Sequence, residues 1–227
     1  MQVGMLAKIW AVFRKDLLIE VRTKDSLNAM LFFGIVVLVI FHFALAGAGD
    51  SIRQVVPGVL WAAFAFSGTL GLNRIFAVEK ENNCLEGLLL IPVDRGVIYL
   101  GKMLAVTLFM LFAECIIFIF CLVFFNLTVW EKLPWLALIF FVGTLGFAAA
   151  GTLLSAISIN TRMRETLLPL ILFPVVLPVL VNAVEATNVA LNGTADGGLE
   201  LPLTIMSVFT IIFVTISYVL FEYVLED

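Results

Sequence analysis

Long runs of apolar residues, separated by short charged segments, dominate the pattern of this chain. Six of these runs are long enough for one helical crossing of a bilayer, which takes about 20 apolar residues. Membrane-spanning strands would instead show short segments of alternating polarity. The pattern therefore predicts an all-α membrane protein with six transmembrane helices, placed near residues 27–46, 55–73, 103–125, 134–157, 166–183 and 203–223.

A shorter, amphipathic pattern precedes the first apolar run. Its apolar residues recur three and four positions apart, as on one face of an α-helix; they are Leu6, Ile9, Trp10, Phe13, Leu17 and Val21. Lys8, Lys15 and Arg22 lie on the opposite face. A helix with one apolar face and basic residues on the opposite face is typical of the membrane interface. We therefore expect an interfacial elbow helix over residues 4–24. The pattern leaves open whether this helix only anchors the chain to anionic lipid or also takes part in energy coupling.

Composition and charge narrow the classes of protein further. Of the 227 residues, 63% are hydrophobic and 13% are charged, whereas a soluble domain is about 45–50% apolar. We therefore expect a single transmembrane domain over residues 1–227. The net charge of −4 offers no basic surface to nucleic acid. The cysteines, Cys84, Cys115 and Cys121, lack the spacing of a metal site, so we expect no metal.

The distribution of basic residues predicts the orientation. Lys and Arg number 13, and 11 of them fall in the N-terminal segment, the loop after the second apolar run and the loop after the fourth. Because cytoplasmic loops carry an excess of Lys and Arg, we expect both termini to be cytoplasmic.

The segment 74–102 is a long polar stretch between two apolar runs. Asn82 and Asn83 are suited to cap a short helix, and Pro92 would end it. A short, partly apolar helix on the polar side of a membrane protein is typical of a docking site for a partner. A plain loop that returns to the membrane would have a similar composition.

Residues 96–102 also match the first part of a phosphate-binding loop, G-x-x-x-x-G-K. Met103 stands where a Ser or Thr should bind magnesium, and an apolar run follows in place of a soluble helix. We therefore expect this chain not to bind nucleotide, and we interpret Lys102 as a cytoplasmic anchor of the third span.

Several residues inside the apolar runs are candidates for a substrate route. Glu114 lies in the middle of the third run, where an ionisable group costs about 2.5–3.5 kcal/mol; it either lines a route or hydrogen-bonds another helix as a structural contact. His42 lies near the outer end of the first run. Pro174 and Pro178 are expected to bend or interrupt the fifth span, and broken helices often border transport routes.

Small residues recur on one face of the fourth span, at Thr144, Ala148, Gly151 and Ser155. Such a face allows two helices to approach closely, so it predicts helix packing. No paired aspartates, HExxH motif or Ser/His pair occurs at membrane depth. We therefore assign no catalytic residue and expect a protein that is not itself an enzyme.

The segment 79–92, followed by Gly101-Lys102, resembles the cytoplasmic loop of type II ABC exporter permeases. In that class this segment is the coupling helix, which contacts a separate ATPase subunit and transmits its conformational change to the membrane helices. The resemblance implies that contacts with such a subunit are made by Glu79, Glu81, Leu85, Glu86, Leu88, Leu89 and Pro92. Cys84 departs from the class, which commonly has a glycine or threonine there, and this puts the start of the helix in doubt.

Within that class, the chain more closely resembles the heme exporter protein B (CcmB) family over nearly its whole length. Residues 57–62, 143–147 and the proline-rich run 168–178 carry the likeness. The resemblance implies a permease of the bacterial cytoplasmic (inner) membrane, with ATP on a separate CcmA-like subunit. It also implies a permease dimer, other cytochrome c maturation proteins as partners, and heme as substrate rather than as a firmly bound cofactor. Two alternatives stay open: an exporter of another hydrophobic substrate, and a scaffold that transports nothing.

Overall fold

The computed structural model describes residues 4–47, 49, 52–81, 94–159, 161, 163–193 and 198–224, without the side chains of 75–81, 164 and 224. Within these residues the chain forms seven α-helices and one short 3₁₀ helix, at Trp130–Lys132. The α-helices are α1 (Met5–Thr23), α2 (Asp25–Ala44), α3 (Ile52–Glu81), α4 (Arg95–Phe124), α5 (Leu133–Ser158), α6 (Arg164–Asn192) and α7 (Glu200–Val224).

Six of the helices, α2 to α7, contain stretches long and apolar enough to cross a membrane. The all-α fold with six such helices is thereby confirmed. Several helices extend beyond the apolar runs: α4 begins at Arg95 rather than near 103, and α6 ends at Asn192 rather than near 183. An apolar run marks only the part of a helix that needs lipid, because polar residues can continue the same backbone hydrogen bonding beyond it.

The elbow between α1 and α2 is fixed by two local features. Lys24 adopts a left-handed conformation with φ 57° and ψ 13°, which ends α1 and redirects the chain. The backbone N–H of Leu27 donates a hydrogen bond of 2.8 Å to Oε1 of Glu20. A carboxylate at this position satisfies a free amide of the first turn and favours the helix dipole, so Glu20 holds the start of α2 against α1.

The centre of the bundle is formed by α3 and α5, most of whose membrane-length windows are buried inside the chain. α5 packs against α4, α6 and α7, while α2 packs mainly on α3. α2, α6 and α7 keep large exposed apolar faces. In a bilayer such faces lie against lipid or another membrane protein, because water cannot solvate them.

Polar contacts join the helix ends on the side of the bundle that carries α1. Arg74 of α3 lies 3.7 Å from Asp25 of α2, and Nη1 of Arg95 donates a 2.7 Å hydrogen bond to the carbonyl oxygen of Glu222. The start of α4 is therefore attached to the end of α7.

The opposite side of the bundle is joined by hydrogen bonds to the last turn of α6. Nζ of Lys132 donates to the carbonyl oxygen of Leu191, and Nδ2 of Asn192 donates to the carbonyl oxygen of Arg53 at 3.1 Å. Lys132 thereby satisfies a carbonyl group in the last turn of α6, and Asn192 satisfies the carbonyl group of Arg53, whose partner four residues on would be Pro57, which has no N–H.

Candidate functional site

A buried carboxyl group lies at the contact between α4 and α5. Glu114 is 3% exposed, and its Oε2 accepts a 2.6 Å hydrogen bond from the hydroxyl group of Thr144. Its Oε1 is also buried and has no hydrogen-bond partner among the described residues. A buried polar atom without a partner is costly, so Glu114 retains the capacity for one further hydrogen bond.

Four buried aromatic rings lie beside this carboxyl group. Phe118 is one turn along α4 from Glu114, and Phe140 is one turn along α5 from Thr144. Together with Trp61 and Phe64 of α3 they form a cluster with ring centres 5.2–6.0 Å apart. The cluster keeps the surroundings of Glu114 apolar on that side, which strengthens any electrostatic interaction the carboxyl group makes.

The small residues of the fourth span pack inside this one chain. Thr144, Ala148, Gly151 and Ser155 are all buried, and a side chain at position 151 would collide with Leu72 of α3. The same face therefore allows α3 to approach α5 closely and also supplies the hydroxyl group that contacts Glu114. The structure thus joins two sets of residues that the sequence suggested separately.

His42 lies at a different level of the bundle. Its ring is partly exposed and has the rings of Phe43, Phe124 and Phe125 at 5.6–5.7 Å. Phe124 follows Glu114 by ten residues on the same helix, a distance of about 15 Å at 1.5 Å per residue. His42 and Glu114 therefore do not form one site in this structure.

Two of the three prolines of the fifth span face outward. α6 runs continuously from Arg164 to Asn192 through Pro169, Pro174 and Pro178, so the prolines do not interrupt it. Pro174 and Pro178 are exposed and lie away from the buried carboxyl group. Nδ2 of Asn182 donates a 2.7 Å hydrogen bond to the carbonyl oxygen of Pro178.

Most of the residues suggested for coupling lie outside the described residues: Leu85, Glu86, Leu88, Leu89 and Pro92. Glu79 and Glu81 belong to the backbone of α3, but their side chains are not described. After this segment, the carboxylate of Asp94 accepts a 2.9 Å hydrogen bond from the backbone N–H of Gly96 and caps the start of α4.

A buried ion pair attaches α1 to α4, and sequence reasoning missed it. Lys102, interpreted above as an anchor in the cytoplasmic interface, is 1% exposed, and its Nζ lies 3.7 Å from Oδ2 of Asp16. Nζ of Lys15 lies 2.9 Å from the other oxygen of Asp16. A signal was present in α1, because Asp16 and Glu20 are spaced four apart and share one helix face with Val12. Acids on a face that is otherwise apolar require a partner.

Gly101, beside Lys102, allows the two helices to approach at this point. A side chain at position 101 would meet the side chain of Val12 and, at 3.1 Å, the carbonyl oxygen of Ile9. Gly101 and Lys102, which carried part of the sequence resemblance, therefore form the surface of α4 on which α1 packs.

Among the residues described, no three His, Cys, Asp or Glu side chains come together as a metal site.

Six apolar helices of membrane-spanning length, preceded by an amphipathic helix attached to the bundle, define a multi-pass membrane protein. Comparison with known families extends this conclusion: a family model described as CcmB protein matches residues 7–224. This match covers nearly the entire chain, and the chain belongs to the CcmB family.

Individual relatives agree with this assignment. The chain is 24% identical to the heme exporter protein B of Rhodobacter capsulatus over 203 residues, which cover 88% of this chain and 90% of that protein. It is 27% identical to that of Paracoccus denitrificans over 181 residues, covering 78% and 81%. With that of Escherichia coli K12 it shares 27% identity over 96 residues, 42% of this chain and 44% of that protein. The chain thus matches less than half the length of the Escherichia coli relative.

Proposed function

We propose that this chain is the membrane permease subunit of an ABC transporter for cytochrome c biogenesis. It couples ATP hydrolysis by a separate, CcmA-like subunit to heme export or to release of a heme-loaded chaperone. The family match over residues 7–224 carries this proposal, because relatives that match most of the chain are named heme exporter protein B. The class resemblance supports a permease dimer and contacts with other cytochrome c maturation proteins.

The orientation follows from charge. Of the 13 Lys and Arg residues, 11 fall in the N-terminal segment, the loop after the second apolar run and the loop after the fourth, so we place these segments and both termini in the cytoplasm of a bacterial cell. The segment 79–92, which begins in the last turn of α3, then faces the ATP-binding subunit.

A displacement of the coupling segment would act on both helices that flank it. α3 continues to Glu81, and Asp94 caps the start of α4. Helices are stiff along their axes. A displacement of the end of α3 and the start of α4 would therefore move both whole helices against α5. Glu114 of α4 and Thr144 of α5 lie across the contact that such a movement shifts.

The Glu114–Thr144 contact is therefore our candidate for a gate on the substrate route. Separation of the two side chains would release a second carboxylate oxygen in apolar surroundings and make Glu114 available to a polar group of the substrate. His42 is the candidate contact near the outer end, since histidine is a normal axial ligand of heme iron. Pro174 and Pro178 lie on the outer face of α6, where they would contact a second copy or a partner subunit rather than this internal route.

The ATPase rate of the reconstituted complex tests this proposal. Glu86→Ala is expected to lower the stimulation of ATP hydrolysis by this chain about five-fold or more, since coupling between two sites is typically worth at least that factor. Glu185→Ala is the matched control, because Glu185 is an exposed acid near the far end of α6. If the Glu86 variant assembles and the rate of ATP hydrolysis is the same as with the unaltered chain, the coupling proposal is wrong and the scaffold alternative is favoured.

A further inference from the structure

An apolar groove runs between α1 and α4, on the outer surface of the bundle. Leu6, Trp10 and Phe13 form its α1 side, and Leu104, Leu108 and Leu111 form its α4 side. The groove has a volume of about 520 Å³, which lies within the range of pockets that hold small ligands. It continues along two turns of α4, from Leu104 to Leu111, and is open to the surroundings of the protein.

The lining of the groove is almost entirely apolar. Its one hydroxyl group, on Thr107, already donates a 2.8 Å hydrogen bond to the carbonyl oxygen of Met103. An occupant therefore gains by burying methylene groups, and gains little from a polar group placed inside. A linear acyl chain has the shape and chemistry of this space.

The exposed charges of α1 favour an anionic lipid over a neutral one. The two acids of α1, Asp16 and Glu20, are buried and engaged with Lys102 and with the N–H of Leu27. Every exposed or half-exposed charged residue of this helix is basic, namely Lys8, Arg14, Lys15 and Arg22. Basic residues at a membrane surface attract anionic lipids.

We propose that this groove is a binding site for one anionic phospholipid. One acyl chain lies between α1 and α4, and the headgroup contacts Arg14, the exposed basic residue of α1 that flanks its apolar face. Gly101 and the buried Asp16–Lys102 pair hold α1 in place. The groove is thus formed before the lipid arrives, which lowers the cost of ordering on binding.

Native mass spectrometry of the detergent-purified chain, titrated with phosphatidylglycerol or phosphatidylcholine, tests this site. Leu108→Trp fills the groove and is expected to weaken phosphatidylglycerol binding about ten-fold or more, since each excluded methylene group weakens it about four-fold. Leu177→Trp is the matched control, because Leu177 is a 57% exposed leucine on α6, away from the groove. Leu104→Trp provides a second groove-filling variant if Leu108→Trp does not fold.

The charge component is tested by Arg14→Gln. This variant is expected to bind phosphatidylglycerol about five-fold more weakly, as removal of one basic residue near a membrane surface implies, and to bind phosphatidylcholine unchanged. The proposal is overturned if the groove and control variants bind phosphatidylglycerol equally, or if the unaltered chain binds both lipids equally.

Discussion

Lys102→Met is expected to lower the free energy of unfolding by about 3 kcal/mol, because it leaves the buried Asp16 without its buried counter-ion. Removing one partner of a buried ion pair typically costs about 3–5 kcal/mol. The lower end applies here, since Lys15 also contacts Asp16 and is itself partly exposed. Denaturant unfolding of the purified chain in detergent measures this change.

Two further variants separate the ion pair from general effects of the substitution. Asp16→Leu combined with Lys102→Met is expected to regain most of the lost stability, because a buried pair replaced by apolar residues is often neutral or stabilising. Lys8→Met, on the same side of the bundle but half-exposed, is expected to change stability by less than about 0.5 kcal/mol. Equal losses for Lys102→Met and Lys8→Met would show that the Asp16–Lys102 contact does not hold α1.

Glu114→Leu is expected to reduce the yield of mature c-type cytochrome in cells about ten-fold while leaving the chain folded. Leucine fits the apolar surroundings, and the loss of the acceptor for the buried Thr144 hydroxyl costs about 1–3 kcal/mol, which is less than the roughly 5–15 kcal/mol of a typical folded protein. The loss of function therefore comes from the missing carboxyl group, measured as heme-stained cytochrome per cell at matched levels of the chain. Glu114→Gln keeps an oxygen that can accept the hydrogen bond from Thr144 and is expected to retain an intermediate yield.

The comparison of yield with stability decides the role of Glu114. Cys115→Leu, at the exposed neighbouring position, is the control and is expected to give a normal yield. If Glu114→Leu unfolds the chain or removes it from the membrane, the Glu114–Thr144 contact is structural. If it leaves both the chain and the cytochrome yield unchanged, the carboxyl group is not part of the function.

The helices could be predicted from the sequence because the backbone of a chain inside a bilayer has no water with which to form hydrogen bonds. Apolar runs of spanning length must satisfy their hydrogen bonds internally, so the six long helices could be counted directly. The elbow helix also followed from periodicity, and α1 occupies Met5–Thr23 within the expected 4–24. α4 and α6 extend beyond the predicted spans, since charged and polar residues continue a helix without adding apolar character.

Contacts between helices were much harder to predict. Glu114 and Thr144 are 30 positions apart, and their hydrogen bond depends on how α4 and α5 are rotated against each other. Packing of whole helix faces sets that rotation, which one sequence does not reveal. Lys102 was misread for a related reason: a lysine next to an apolar run usually reaches the interface, whereas this one lies beneath α1 and pairs with Asp16.

Purification of this chain from its native membrane in gentle detergent, with identification of the proteins that accompany it, tests the central claim most directly. The account predicts an ATP-binding subunit together with cytochrome c maturation proteins. An ATP-binding subunit with unrelated neighbours would contradict the heme assignment while keeping the exporter class. Recovery of the chain alone, under conditions in which known membrane complexes survive, would contradict the proposal that it works as the permease of an ABC transporter.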